Sequence, residues 1–87
     1  MQSDKQQSGS PEQQPTLDEL RAELERWESK LHAAKIAYLH RTTLDGMQVS
    51  YEVLSSIAKE YIKASYAIQK LQFGAVKVKI SVAKLLR

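Results

Sequence analysis

The sequence predicts an α+β fold, a helix–β-hairpin–helix domain, from three observations. Leu17, Leu20, Leu24, Trp27, Leu31 and Ala34 alternate by three and four before the middle of the chain, and Leu54, Ile57, Tyr61, Ala64, Ile68 and Leu71 do so after it. Between them stands Asp45-Gly46, the dipeptide that best fills a two-residue type I′ turn, where both central residues need positive φ. Around that dipeptide the side chains alternate with period two, as a two-faced ribbon requires.

Residues 1–15 are mostly Gln, Ser, Gly, Pro and scattered charge, a composition too poor in apolar surface to offset the entropy of ordering. This segment is expected to be a disordered tail. The domain then spans 16–73, opening on Thr16 with Glu19 three residues later, the spacing of a capping box. Asp18 and Glu19 also suit the positive end of the helix dipole. In the first helix the Leu stripe is a core face, with Trp27 as its largest anchor and its indole N–H expected near the surface.

The hairpin is expected to cover Tyr38 to Val53. With Leu44 opposite Met47, Thr42 faces Val49, His40 faces Tyr51 and Tyr38 faces Val53 on one side. Arg41, Thr43, Gln48, Ser50 and Glu52 fall on the other side, with Arg41 diagonal to Glu52 as a solvated ion pair. Helix two then starts near Leu54, with Ser55 or Ser56 as its cap, and runs to about Phe73. Ala58, Ile62 and Ser65 widen its apolar stripe beyond what one partner helix covers, so Ala58, Ile62 and Tyr66 are candidate oligomer-interface residues.

A second fold is open: an all-α hairpin in which Thr42–Ser50 is only a loop. Val49 before Ser50, with Leu54 four beyond it, is the spacing of a hydrophobic staple at a helix start.

Gly74 is a natural helix stop. Residues 74–87 form a tail in which Val76, Val78, Ile80 and Val82 alternate as in a strand, while Ala75, Val78, Val82 and Leu85 continue the stripe of helix two. Both forms stay open. Val76, Lys77, Val78, Lys79, Ile80, Val82, Leu85 and Leu86 are the candidate partner-binding segment, although lysines on such a strand also guard against unwanted edge pairing.

Composition narrows the function. The chain has 87 residues and no cysteine, so disulfides and thiolate metal sites are excluded, and His32 and His40 alone make no credible zinc site. No cofactor is expected. A folded part of about seventy residues buries little surface per residue, which favours stabilisation by copies of itself or by partners. No run is long and apolar enough to cross a bilayer and the amino terminus is unlike a secretory signal, so no membrane role and an intracellular, cytoplasmic origin are expected.

The sequence contains no nucleophile motif, no paired carboxylates in a recognisable setting and no metal-ligand spacing, and its three glycines build no phosphate loop. A non-enzymatic protein is expected. The net charge of +3 is unevenly spread: seven of ten acids lie at or before Glu28 and none follows Glu60. Lys63, Lys70, Lys77 and Lys84 recur every seven residues and, on one continuous helix, would follow a phosphate backbone, so nucleic-acid binding is a rival reading. An all-helical adaptor or small chaperone is another.

The order helix, hairpin, helix, tail resembles the bacteriophage lambda W-type head–tail joining (head completion) proteins. Asp45-Gly46-Met47-Gln48-Val49-Ser50-Tyr51 is similar to that family's Asp-Gly-x-x-Val-x-aromatic hairpin strand, and Tyr61-Ile62 followed by Leu71 is similar to its second helix. The likeness covers roughly Leu17 to Leu71. This chain departs from the pattern in its longer amino-terminal tail, its lack of a glycine between helix one and the hairpin, and its own apolar, lysine-containing end. The resemblance implies a structural subunit of the virion neck, a homo-oligomeric ring under the portal that closes a DNA-filled head and meets tail-side neck proteins.

Overall fold

The computed structural model describes residues 15–87, so the expected tail lies outside the described residues except for Pro15. The order is α1 (Leu17–His40), β1 (Thr43–Leu44), β2 (Met47–Gln48), α2 (Tyr51–Phe73) and α3 (Val82–Leu85). This is a helix–hairpin–helix α+β domain, with the carboxyl tail folded back onto it.

Thr16 opens α1 through a complete capping box: its hydroxyl accepts from the Glu19 amide at 3.2 Å, and the Glu19 carboxylate accepts from the Thr16 amide at 2.8 Å. The other end closes without glycine. Arg41 takes the left-handed conformation at φ 56°, and the amides of Arg41 and Thr42 reach back to the carbonyls of Tyr38 and Ala37, the paired bonds of a Schellman motif.

The turn is as expected and the ribbon is shorter. Asp45 and Gly46 have φ of 54° and 79°, and Leu44 pairs with Met47. One further pair, Thr43 with Gln48, completes the sheet. The expected pairs Thr42–Val49, His40–Tyr51 and Tyr38–Val53 do not form, because Tyr38 to His40 are the last turn of α1 and Tyr51 to Val53 the first turn of α2. A two-stranded ribbon in water is marginal, whereas extending each helix adds a backbone bond per residue and buries Ala37 and Leu54 in the core.

Helix two accordingly starts at Tyr51 with Ser50 as cap, in place of Ser55 or Ser56. The Ser50 hydroxyl accepts from the Val53 amide at 3.2 Å, and Val49 and Leu54 are buried in one cluster across the cap, as a hydrophobic staple requires. The capping signal of the all-helical reading is therefore present beside a real hairpin. Gly74 ends α2 at φ 77°, its amide donating to the Lys70 carbonyl.

The core joins Leu31, Ala34 and Ala37 of α1 to Val49 and to Leu54, Ile57 and Ala58 of α2. Ala34 and Ala58 are both 0 % exposed, and small residues at a helix–helix contact let the backbones approach closely. Trp27, Leu44, Val82, Leu85 and Leu86 pack against this cluster from its rim. The Trp27 ring carries the Lys30 ammonium 5.4 Å from its centroid on the outer side. The α2 stripe stays buried or half-buried through Ile68 and then surfaces, leaving Leu71 and Phe73 exposed.

Residues 75–81 are neither a strand nor a continuation of α2. Gly74 turns the chain, and the tail then lies along α2 without regular structure until Ser81 caps α3 by accepting from the Lys84 amide at 3.1 Å. The row Lys63, Lys70, Lys77, Lys84 is thereby broken, since α2 stops at Phe73. The expected Arg41–Glu52 ion pair does not form; the one described ion pair is Lys63–Glu60 at 3.4 Å, an exposed i, i+3 pair that contributes little.

Candidate functional site

Two surfaces stand out. The first lies at the hairpin end of the helix pair, where α1 ends and α2 begins. Ile36, Tyr38, Leu39, Tyr51 and Leu54 line a mostly apolar groove of about 340 Å³, with Leu86 from the tail on its wall and His32, Lys35 and Arg87 at its rim. Leu39 is 76 % exposed, Met47 69 % and Tyr51 54 %. Large apolar side chains concentrated at one end of so small a domain are the usual mark of a protein contact face.

Helix continuation creates this surface. Had Tyr38 to Val53 been a ribbon, Tyr38 would have faced Val53; in the helices, Tyr38 and Tyr51 meet instead, ring centroids 6.2 Å apart and planes inclined by 59°. Leu39, an apolar residue that a ribbon would have placed on its polar face, projects into water beside them.

The second surface is the seat of the tail on α2. Gln69 is a buried polar side chain, and its amide is fully used. Its Oε1 accepts from the amides of Lys77 and Val78, each at 2.7 Å, while its Nε2 donates to the Val78 carbonyl at 2.9 Å and to Ser65 Oγ at 3.4 Å. One turn earlier, the Tyr66 hydroxyl accepts from the Ile80 amide at 3.0 Å and donates to the Ile80 carbonyl at 3.3 Å. Two side chains on one helix face thus hold the main chain of residues 77, 78 and 80, which bends at Val78. Beyond this seat the Lys35 ammonium donates to the Leu85 carbonyl at 2.8 Å, holding the end of α3 to α1.

The sequence candidates now sort by position. Ala58 has no surface to offer a neighbour, because it is sealed inside the helix–helix contact; its reading as an oligomer-interface residue is corrected on that ground. Tyr66 is committed through its hydroxyl to the tail, and Ile62 is half-buried on α2. Of the candidate partner-binding tail, Val82, Leu85 and Leu86 pack on the core of their own chain. Val76 and Ile80 are half-buried, Lys77 and Lys79 are exposed, and Val78 turns its side chain to solvent at 65 % exposure while its backbone is held.

Sequence reasoning missed the Gln69 seat and the hairpin-end groove. A Gln at the polar edge of an amphipathic stripe carries no signal of its own, and the groove exists only where two helices and the tail converge. Among the described residues, no group of three or more His, Cys, Asp or Glu side chains is placed to hold a metal ion, and no helix is long and apolar enough to cross a membrane. Comparison with protein-family models, curated proteins and solved structures returns no match.

Proposed function

We propose that this chain is a non-enzymatic structural subunit that acts by assembly, a homo-oligomeric ring component of a phage neck set between the portal and the tail-side proteins. The observation that carries this reading is the hairpin end, where Leu39 and Tyr51 line an apolar groove and stand in water, and Met47 of the hairpin is exposed as well. A domain this small completes its burial by meeting a neighbour. The helix–hairpin–helix order supports the phage setting, since it is the arrangement expected of the family that the sequence resembles. Exposed Lys77, Lys79 and Lys84 give a basic flank suited to lying near packaged DNA without reading its sequence.

Two observations test the proposal together. Mass measurement under native conditions at rising concentration is expected to show a defined oligomer that Leu39→Gln weakens at least tenfold, and portal and capsid genes are expected beside the gene for this chain. A chain that stays monomeric to millimolar concentration, encoded among genes unrelated to virions, overturns it.

A further inference from the structure

The tail seat reads main chain. Every hydrogen bond from Gln69 and Tyr66 to the tail is made to a backbone amide or carbonyl of Lys77, Val78 or Ile80, and the Val78 side chain points away. The seat therefore recognises a short bent segment by the backbone groups of residues 77, 78 and 80 and not by its side chains. Ahead of the segment, the chain turns at Gly74, where a Cβ would meet nothing within 4 Å, so the turn is unhindered on that side.

The tail also links both candidate surfaces. After leaving Tyr66 it continues through α3 to Leu86 and Arg87, which line the hairpin-end groove proposed above as the assembly face. A tail carried on a neighbouring copy would form the same bonds at the seat and bring its own Leu86 into the same groove. Such an exchange repeats contacts already present in the single chain, so its cost is confined to association; made head to tail, each copy gives a tail to one neighbour and takes one from another, which closes a ring.

We propose that the Tyr66–Gln69 seat is an intersubunit docking site whose occupant in the assembled state is the 77–86 segment of a second copy of this chain. The proposal rests on the assembly reading and supplies its contact: the cis-docked tail closes the isolated monomer, and the exchanged tail joins subunits in sequence around a ring.

Complementation tests it. One copy carries Gln69→Ala and Tyr66→Phe, so that it can give a tail but holds none well; the other ends at Gly74, so that it can only receive. Native mass spectrometry of the mixture is expected to show a pair of one copy of each, weakened about ten- to hundredfold when the receiving copy also carries Gln69→Ala. Circular dichroism establishes that both copies are folded. If the shortened copy is unfolded alone, a mixture of isotope-labelled and unlabelled full-length chains gives the same answer through nuclear Overhauser contacts between Tyr66 of one copy and Ile80 of another. An oligomer in which every Tyr66–Ile80 contact stays within one chain overturns the exchange and leaves the assembly reading standing. A complementing pair beside a monomeric full-length chain shows only that an emptied seat accepts a tail, and overturns both the exchange and ring assembly. Absence of both the pair and the oligomer overturns both.

Discussion

Tyr38 in the last turn of α1 and Tyr51 in the first turn of α2 are packed ring to ring, 6.2 Å between centroids. Both are exposed enough to be shared with a neighbour, and Leu39 beside them is more exposed still. Leu39→Gln removes apolar surface from the groove without touching the core, so thermal stability is expected to move by less than about 0.5 kcal/mol. Tyr51→Ala removes the ring pair and is expected to cost about 1 kcal/mol in stability. Urea titration reads both values, and a loss of more than 2 kcal/mol for Leu39→Gln would show that it supports the fold.

Arg41 and Gly46 make opposite predictions about positive φ. Arg41→Gly relieves a side-chain-bearing residue of the left-handed conformation at φ 56° and keeps the Schellman bonds, so it is expected to stabilise by about 0.5–1 kcal/mol. Gly46→Ala meets no atom but places a Cβ on a residue at φ 79°, and is expected to destabilise by about 1 kcal/mol. Equilibrium denaturation gives the two signs directly.

The start of α2 can be located by removing caps. Ser50→Ala leaves the Val53 amide without its partner and is expected to cost about 1 kcal/mol, whereas Ser55→Ala and Ser56→Ala, inside the helix, are expected to be neutral within about 0.5 kcal/mol. Thr16→Ala, which removes the hydroxyl that accepts from the Glu19 amide but keeps the backbone amide that donates to the Glu19 carboxylate, should resemble Ser50→Ala.

Gln69→Leu separates the tail from the domain. Amide hydrogen exchange at Lys77 and Val78, whose acceptor is lost, is expected to become unprotected in the isolated chain, while the amides of Leu31, Ala34 and Ile57 keep their protection. Retained protection at Val78 would mean that Tyr66 and α3 hold the tail in place without Gln69.

Ala58 separates packing from interface. Ala58→Leu inserts three carbons into a helix contact with no free surface, and is expected to cost about 1–3 kcal/mol of fold stability at any protein concentration. An effect on oligomer mass with unchanged stability would return this residue to the surface.

The two helices, the capping box at Thr16, the Asp45-Gly46 turn and the stop at Gly74 were all legible in the sequence, because each rests on neighbours within four residues: a hydroxyl and the amide it caps, a backbone that must take positive φ, a stripe with period 3.6. The length of the hairpin was not. Tyr38 to Thr42 and Val49 to Val53 satisfy both a period-two ribbon and the ends of two helices, and the choice depends on whether Ala37 and Leu54 gain more by joining a common core than the ribbon gains from three more pairs. Likewise the tail fits strand and helix alike until Gln69 and Tyr66 take its backbone bonds away from either. Local chemistry chose the elements and their turns; burial across the helix pair and hydrogen bonds between distant residues decided where the elements end, and with that where the chain leaves a surface for a neighbour.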